Sequence, residues 1–424
     1  MAARLYYGPA VFTKALPGQL STELLAENGP PRPRSRYHAA MILVTGGAGF
    51  IGSFVCERLL AEGSAVRALD TLDPQVHPDR RARHLPSGVE LRVADVRDRP
   101  AVASALEGVD VVVHCAAAVG VAQSLYRPEH YIDVNVRGTA TLLECLHERR
   151  RPLRKLIVPT SMTGYGEGRY RRASDGRTLR VDIRTEEQIR RHGWEPVDPA
   201  SGEPLDPAPT PEDAELRARN VYALTKRWQE ELVLSLAAVQ RFPVVCLRLF
   251  NVYGPRQSLS NPYTGVLAIF LSRLLAGQPP VVYEDGGQTR DFVSVHDVVE
   301  AMLACLRSSG ADGQVVNIGS GVARRIGDVA RDLARAAGIA GIEPNVTGQF
   351  RLGDVRHCTA DIGRARGLLG FRPQVAWDEG LKELVDWCRA ASAEDRFAQA
   401  DRELRAHGLL SERLGPPRGD GTQA

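Results

Sequence analysis

The sequence predicts an α/β protein with a doubly wound parallel sheet, followed by a smaller C-terminal α/β lobe. Short apolar runs recur along the chain at 41–45, 65–70, 89–94, 110–115, 156–159 and 243–249. Most of these runs are continuously apolar rather than alternating with polar residues, which is typical of parallel strands covered on both faces. Helical patterns lie between them, for example at 135–147 and 221–238, and these helices are expected to cover the sheet.

Composition and charge exclude several classes of protein. The chain has 424 residues, 43% of them hydrophobic and 25% charged, as in ordinary globular proteins. The net charge of +3 is too small to indicate binding to nucleic acid or to an acidic membrane. No apolar run reaches the roughly 18 residues that a membrane-spanning helix needs. The seven cysteines are scattered without a C-x-x-C pair, which indicates reduced thiols in a cytoplasmic protein and no metal site.

The segment after the first apolar run is a glycine-rich turn, Thr45-Gly46-Gly47-Ala48-Gly49-Phe50-Ile51-Gly52. It follows a strand and begins a helix, as the dinucleotide-binding fingerprint requires. The first glycine of the pattern permits the tight turn, the second lets the backbone approach a pyrophosphate, and the third lets helix and strand pack closely. The helix N-terminus attracts the phosphates. We therefore predict that a Rossmann-type sheet binds a dinucleotide through Gly46, Gly49, Phe50, Ile51 and Gly52.

Further positions at strand ends are predicted to contact the dinucleotide. Asp70 ends the next strand, where a carboxylate accepts hydrogen bonds from the adenosine ribose and repels a 2′-phosphate; NAD is therefore favoured over NADP. Asp95 and Val96 follow the third strand, where a side chain can meet the adenine; the less favoured alternative for Asp95 is a solvated turn residue. Ala116 belongs to a run of small residues whose backbone can lie against the cofactor. The neighbouring His114 is expected to be a core histidine.

A tyrosine and a lysine four residues apart, Tyr222 and Lys226, share one face of the predicted helix 221–238. Ser161 follows the strand at 156–159, at the strand end where parallel sheets place their chemistry. A phenol with an ordinary pKa of about 10 is a poor base at neutral pH. A nearby positive charge would stabilise the phenolate and lower that pKa.

These motifs resemble the extended branch of the short-chain dehydrogenase/reductase superfamily, over nearly all of residues 41–390. Further matching segments are 135–139, 251–255 and 290–292. The resemblance implies an enzyme that acts on a nucleotide-diphosphate sugar. In it, Tyr222 exchanges a proton with the sugar and Ser161 holds the reacting hydroxyl. Lys226 binds the nicotinamide ribose and, with the nicotinamide charge, lowers the pKa of Tyr222, while Asn135 belongs to the cofactor side.

The residues after Ser161 favour one reaction of this family. Dehydratases carry an Asp-Glu pair there and decarboxylases a glutamate, whereas this chain has Met162 and Thr163. A net reductase needs exchangeable NADPH, which Asp70 disfavours. We therefore expect a 4-epimerase that works through a 4-keto sugar, and the stretch 249–265 resembles the dTDP-L-rhamnose 4-epimerase subfamily. A dehydratase, decarboxylase or reductase is the alternative, and an NAD-binding regulator without turnover is a remote one.

The same resemblance implies the substrate contacts and the assembly. The nucleotide and its diphosphate are expected to be bound by Asn251, Arg290, Arg351 and Asp354. Gln123 and Ser124 are candidates for the sugar hydroxyls, whereas Tyr165 either lines the sugar pocket or packs in the core. A homodimer is expected to pack through helices 135–147 and 221–238.

The predicted organisation has four parts. Residues 1–40 are either an over-long start or a disordered extension, and 401–424 form a C-terminal tail that ends in disorder. Residues 41–250 form the NAD-binding domain, and 251–400 mainly bind the nucleotide sugar, with part returning to the central sheet. A polar insert at 167–219 is either a lid or edge module or a plain solvated loop. We expect one helix after Thr185 and another after Thr210 within it.

Overall fold

The computed structural model describes residues 40–149, 151–258, 265–339, 341–351, 353–391 and 397–410. The predicted extension, up to residue 39, and the end of the predicted tail, 411–424, lie outside these ranges. The strands are β1 Met41–Thr45, β2 Ala65–Asp70, β3 Glu90–Val93, β4 Val111–His114, β5 Lys155–Ser161, β6 Arg169–Arg172, β7 Thr178–Arg180, β8 Leu205–Ala208, β9 Val244–Leu249, β10 Asn251–Tyr253, β11 Val281–Val282, β12 Thr289–Ser294, β13 Gln314–Ile318, β14 Ala323–Arg325, β15 Asn345–Val346 and β16 His357–Cys358.

The helices alternate with these strands over most of the chain. They are α1 Phe50–Ala61, α2 Arg99–Ala105, α3 Val121–Ser124, α4 Pro128–Tyr131, α5 Gly138–Glu148, α6 Glu186–His192, α7 Val221–Gln240, α8 Val266–Leu275, α9 Val295–Arg307, α10 Ile326–Ala336, α11 Gly363–Leu369, α12 Trp377–Ala390 and α13 Phe397–Ala406. A π-helical segment, Ile132–Arg137, precedes α5, and a 3₁₀ turn, Met162–Tyr165, follows β5. Among the described residues, no helix has the length and apolarity needed to cross a membrane.

Seven parallel strands form the central sheet, in the order β13-β9-β5-β4-β1-β2-β3. The predicted doubly wound Rossmann-type fold is therefore confirmed. The strand order reverses between β1 and β4, and ligands of such sheets bind at the carboxyl ends of the strands beside this point. β13 comes from the C-terminal half and pairs with β9.

Side chains of successive residues in each strand enter different cores, because a strand alternates its faces. Ile42 and Val44 pack with α1 and α9, whereas Leu43 packs with α2, α5 and α7. Both faces of the sheet are thus buried, which is why apolar residues predominate at successive positions of the central strands.

The smaller lobe is built around a third apolar core formed by α8, α10 and α12. Beside it, β10 pairs with β12 in parallel, and β12 also pairs with β14 and β16. The parallel register places Asn251 opposite Phe292. The strand pairing therefore brings the segments 251–253 and 289–294 together, although they are far apart in the sequence.

The insert at 167–219 is not a plain solvated loop. β6 pairs with both β7 and β8 in a three-stranded antiparallel sheet, and Tyr170, Val181 and Leu205 form its small core. The predicted helix after Thr185 is present as α6, with the Thr185 side chain accepting from the Gln188 N–H. The sequence did not indicate the three strands.

The predicted helix after Thr210 is wrong. The Thr210 N–H donates to Thr359 O at 2.8 Å, and Thr210 forms a parallel bridge with Ala360. The Thr210 carbonyl accepts from Asn317 Nδ2 at 2.9 Å. Long-range backbone pairing thus outweighs the local helix-start signal, and the chain after Pro211 only makes a turn.

The beginning of the predicted C-terminal tail is helical and packed. α13 runs through Ala406, and Glu403 accepts a hydrogen bond from Tyr126 OH at 2.7 Å. The Tyr126 and His407 rings stack with their centroids 4.4 Å apart. Residues 401–410 are therefore part of the folded protein rather than a disordered tail.

Candidate active site

The glycine turn between β1 and α1 lies at the carboxyl edge of the sheet. Gly46 has a φ of +67°, and a Cβ there would lie 2.7 Å from Ala116 N, so the turn requires glycine. A Cβ on Gly52 would lie 2.1 Å from Gly46 O, which explains the close approach of α1 to the turn. Gly49 is the N-cap of α1 and has no side chain to accept from the first turn. Those N–H groups can therefore receive an anion, as a pyrophosphate requires.

Asp70 lies at the end of β2, beside this turn. Its Oδ2 accepts from Ala48 N at 3.0 Å and its Oδ1 from Leu72 N at 2.9 Å. These bonds fix the carboxylate next to the glycine loop. The chain therefore fits an NAD molecule, with a cradle for the pyrophosphate and a carboxylate for the adenosine ribose.

The other predicted cofactor contacts differ in their surroundings. Phe50, Ile51 and Ala116 are partly buried around the turn. Val96 is buried and packs in the core under α5. Asp95 is half-buried, and its Oδ1 accepts from Arg97 Nε at 2.9 Å, so this carboxylate is already engaged by the protein.

Asn135 is completely buried in the π-helical segment. Its Oδ1 accepts from Ala118 N at 2.7 Å, and its Nδ2 donates to Ala118 O and Thr225 Oγ1, both at 3.0 Å. Both amide hydrogens are therefore committed to the protein. The structure gives Asn135 the role of holding the loop after β4 against α7.

Tyr222, Lys226 and Ser161 come together where β5 ends beside α7. Asn220 caps α7, accepting from Ala223 N at 2.8 Å, and Tyr222 and Lys226 follow within its first two turns. Lys226 Nζ donates to Pro159 O at 2.9 Å, which ties the lysine to β5. Ser161 ends β5 and is hydrogen-bonded to the Tyr222 side chain.

Burial shifts the pKa of both titratable groups. It raises the pKa of Tyr222, and the hydrogen bond with Ser161 offsets only part of that rise. The predicted lowering by Lys226 and the nicotinamide charge concerns the enzyme with NAD bound, and it stays a prediction. Burial also lowers the pKa of Lys226 to about 8.

The two candidate sugar contacts are engaged by the protein. Ser124 is fully buried, accepts from Tyr222 N at 3.0 Å and donates to Val121 O at 2.7 Å. It therefore positions the start of α7, and the prediction that it contacts the sugar finds no support. Gln123 accepts from Tyr131 OH at 3.0 Å and exchanges hydrogen bonds with Gln75.

The predicted diphosphate contacts cluster in the smaller lobe. Arg290 Nη2 donates to Asp354 Oδ1 at 3.0 Å, and Arg351 Nη2 donates to Asp354 Oδ2 at 2.6 Å. Burial alone would raise the pKa of Asp354, but the charges of Arg351 and Arg290 outweigh it and hold the pKa at about 2. Asn251 lies on the strand beside β12, and among the described residues its buried Oδ1 has no hydrogen-bond partner. That oxygen can accept from a donor group of a ligand. The two guanidinium groups of Arg290 and Arg351 share the single carboxylate of Asp354, and the excess positive charge suits a phosphate-bearing ligand.

Sequence reasoning missed several buried polar residues next to the site. Gln229 accepts from Lys226 and donates to Thr139. Thr139 in turn contacts His114, which is buried as expected of a core histidine. Tyr165, for which two readings were open, is a core residue: it is completely buried and donates to Asn317 Oδ1 at 2.7 Å. Among the described residues, no cluster of three or more His, Cys, Asp or Glu is arranged to hold a metal ion.

Comparison with known proteins agrees with this geometry. The model of the NAD dependent epimerase/dehydratase family matches residues 42–187 and 198–319. The dTDP-L-rhamnose 4-epimerase of Burkholderia thailandensis is 38% identical over 354 residues, which cover 82% of this chain and 94% of that protein.

Solved structures of similar proteins cover the same part of the chain. A UDP-glucose 4-epimerase from Thermotoga maritima, with UDP-glucose, has a TM-score of 0.68 at 28% identity and covers 83% of this chain and 99% of its own. A UDP-glucuronic acid 4-epimerase from Bacillus cereus, with UDP-glucuronic acid and NAD, has a TM-score of 0.66 at 26% identity, with the same coverage. The chain is therefore an enzyme of the NAD-dependent epimerase/dehydratase family, with NAD as its cofactor.

Proposed function

We propose that this protein inverts C4 of a nucleotide-diphosphate sugar, and that it converts dTDP-L-rhamnose to dTDP-6-deoxy-L-talose. The observation that carries the proposal is the meeting of Tyr222, Lys226 and Ser161 at the end of β5, opposite a lobe that carries Arg290, Arg351 and Asp354. The similarity to the Burkholderia dTDP-L-rhamnose 4-epimerase supports the choice of sugar.

In this proposal Tyr222, Ser161 and Lys226 have different tasks. When bound, NAD supplies a hydride acceptor and donor for C4 of the sugar. Tyr222 takes the proton of the C4 hydroxyl and returns it after the 4-keto sugar has turned in the site. Ser161 holds the same oxygen by hydrogen bonding. Lys226 holds the nicotinamide ribose, and its ammonium opposes the cost of forming a phenolate in a buried place.

The residues after Ser161 disfavour the other reactions of the family. Dehydration needs an acid beside the leaving hydroxyl, but Met162 is apolar and buried. Thr163 Oγ1 donates to Ser161 Oγ at 3.0 Å, and a hydroxyl of ordinary acidity does not replace a carboxylic acid. Decarboxylation is also disfavoured, because the glutamate that decarboxylases carry at this point is missing.

We also propose that the enzyme is a cytoplasmic homodimer that pairs through the π-helical segment, α5 and α7. Trp228 on α7 is 38% exposed and Ile132 is 40% exposed, so apolar side chains remain on this face of the protomer. All seven cysteines are free thiols, as expected in a reducing compartment.

The test is incubation of the purified protein with dTDP-L-rhamnose, and separately with UDP-glucose and UDP-glucuronate, without added cofactor. Proton NMR of the sugar C4 position reports inversion. Inversion of dTDP-L-rhamnose by the enzyme, and its loss in a Tyr222→Phe variant, is the expected result. Three results would overturn the epimerase proposal in favour of one of the alternatives: accumulation of a 4-keto-6-deoxy sugar from UDP-glucose, loss of carbon dioxide from UDP-glucuronate, or stoichiometric consumption of NADPH in a parallel incubation to which it is added.

A further inference from the structure

A set of buried hydrogen bonds leads away from Lys226 into the protein. Lys226 Nζ donates to Gln229 Oε1 at 2.7 Å, and Gln229 Nε2 donates to Thr139 Oγ1 at 2.9 Å. Thr139 Oγ1 lies 3.0 Å from His114 Nε2, and His114 Nδ1 lies 2.7 Å from Thr45 Oγ1. All five side chains are buried.

The directions of these bonds follow from the number of protons available. Thr139 has one hydroxyl hydrogen, and it is donated to the carbonyl of Asn135 at 2.6 Å, since a carbonyl can only accept. Thr139 must therefore accept from both Gln229 and His114. His114 consequently carries its hydrogen on Nε2 and accepts from Thr45 at Nδ1. Burial, with a smaller effect of Lys226, lowers the pKa of His114 to about 3, so this histidine is neutral.

This arrangement leaves the Gln229 amide a single orientation. A rotated amide would place its NH₂ against the Lys226 ammonium and its oxygen against a threonine whose hydrogen is already committed. Gln229 Oε1 and Pro159 O thus hold two hydrogens of the Lys226 ammonium. Because the nitrogen is tetrahedral, the third hydrogen then points in a fixed direction.

The groups that face Lys226 carry no compensating negative charge. The thiols of Cys115 and Cys246 lie nearby, and burial raises the pKa of both, so they are neutral. Glu230 on the same helix is engaged by Arg248 Nη2 at 2.6 Å. Within the described ranges, no carboxylate lies at ion-pair distance from Lys226, so the Gln229 oxygen is the side-chain atom that solvates the charge.

We propose that Gln229 is the positioning residue for Lys226: its amide, oriented by Thr139 and His114, sets both the direction of the free ammonium N–H and the proton affinity of the lysine. The proposal deepens the epimerase function proposed above, since that function needs Lys226 as a cation of fixed geometry. It assigns a role to His114 as well, which acts through Thr139 and Gln229 and not on the substrate.

The test uses the small number of lysines in this chain. Only Lys14, Lys155, Lys226 and Lys382 are present. Lysine labelled with ¹³C at Cε therefore gives few NMR signals, and the one lost in Lys226→Arg identifies Lys226. Its titration in the full-length holoenzyme gives the pKa directly, without any need for turnover.

Gln229→Glu adds a negative charge and is expected to raise the pKa of Lys226 by about one to two units. Gln229→Met removes the acceptor and is expected to lower it by a similar amount, because a hydrogen bond to a charged group stabilises that form by about 1.5–3 kcal/mol. The alkaline limb of kcat/KM is expected to move in the same direction in each variant. Gln240→Glu is the matched control. Gln240 lies on α7 about 20 Å from Lys226 along the helix axis, so this change is expected to leave both readouts unchanged.

Equal pKa values of Lys226 in the wild type, Gln229→Glu and Gln229→Met would overturn the proposal, even if the variants melt at lower temperature. If Gln229→Met does not fold, Thr139→Ala tests the same point, because it removes the partner that orients the amide; an unchanged Lys226 pKa there also overturns it. Failure of the wild-type enzyme to invert any sugar would instead count against the proposed function, and the NMR titration would still decide the role of Gln229.

Discussion

Around Lys226 a single buried charge faces neutral oxygen atoms. Where the insert packs against the smaller lobe, in contrast, charges of both signs are buried next to one another. Lys226 is 5% exposed, and its ammonium meets a carbonyl and an amide. In the insert, Arg184 is 2% exposed and donates to both carboxylate oxygens of Glu284, at 2.9 and 3.2 Å. Arg356 is 1% exposed and donates to Glu284 and Asp285, both at 2.7 Å.

The two arrangements have opposite effects on proton affinity. Burial lowers the pKa of Lys226 to about 8, and no carboxylate in the described part of the chain lies close enough to offset this effect. Burial alone would also lower the pKa of Arg356, but Asp285, Glu195 and Glu284 outweigh it and raise that pKa. The pKa of the buried Lys226 is therefore brought towards physiological pH, whereas Arg356, which is paired with carboxylates, stays charged and stabilises the fold.

The buried ion pairs of Arg356 are connected to Arg290, one of the predicted diphosphate contacts. Arg290 Nη1 donates to the carbonyl of Arg356 at 3.1 Å, and Arg290 Nη2 donates to that of Val355. The buried ion pairs of Arg356 thus fix the backbone that orients Arg290. In the proposed function, the insert would therefore support the substrate-binding residues indirectly, while the residues around Lys226 would position a cofactor-binding group.

Removing one tyrosine hydroxyl in each region distinguishes a catalytic role from a structural one. The loss of turnover in Tyr222→Phe is the largest effect that we expect. Tyr222→Phe is expected to lower kcat by a factor of about 10² to 10⁴ with little loss of stability, because it removes the proton acceptor. The readouts are inversion of the sugar C4 by proton NMR and the amount of NAD that stays bound.

Tyr170→Phe is the matched change in the insert. Tyr170 OH donates to Glu167 Oε2 at 2.7 Å, and both side chains are buried. Its loss is expected to lower the free energy of unfolding by about 1–3 kcal/mol and to leave the turnover of the folded enzyme unchanged. A turnover defect in Tyr170→Phe as large as in Tyr222→Phe would break the division between the two regions.

The ion pairs of the insert are expected to govern stability. Arg184→Met leaves Glu284 and Glu167 with less compensation in a buried place, so the free energy of unfolding should fall by about 3 kcal/mol or more. Urea denaturation measures this change.

Arg331→Met on α10 is the control, since Arg331 pairs with Asp328 and Glu343 while all three are at least half exposed. An effect below about 1 kcal/mol is expected there. Equal effects at Arg184 and Arg331 would show that the buried pairs are not structural ties.

The two regions also differ in how much of them the sequence predicts. The glycine turn, Asp70 and the Tyr222/Lys226 pair are local patterns, so reading along the chain finds them. Six of the seven central strands lie within about two residues of the predicted apolar runs, because such runs need no partner to be recognised. The seventh, β13, was not predicted as a strand, and it joins the sheet by pairing with β9.

The remainder depends on contacts between distant segments. His114, Thr139 and Gln229 belong to β4, α5 and α7, and nothing in their local sequences shows that they meet. The sequence does not indicate the strands of the insert, because they are short and carry several charged residues beside few buried apolar ones, as a solvated loop does. Ser124 was assigned to the sugar, since the sequence does not show that its hydroxyl is needed at the start of α7.

The smallest predicted effect concerns the acid stability of the region around Lys226. His114 has an ordinary pKa of 6.5 when unfolded and about 3 when folded. Below pH 6.5 the unfolded chain therefore binds a proton that the folded chain refuses, so stability falls as the pH falls towards 3. Between pH 7 and 5 this amounts to about 2 kcal/mol.

A His114→Gln variant is expected to be less stable at pH 7 but to lose about 2 kcal/mol less than the wild type on going to pH 5. Urea denaturation at the two pH values measures the difference, and subtraction removes the contributions of other histidines, such as His84 and His130. His147→Gln is the control, because His147 is exposed near the end of α5. If the two variants show the same pH dependence, His114 is not held neutral, and its Nδ1 does not accept from Thr45 as the hydrogen-bond directions require.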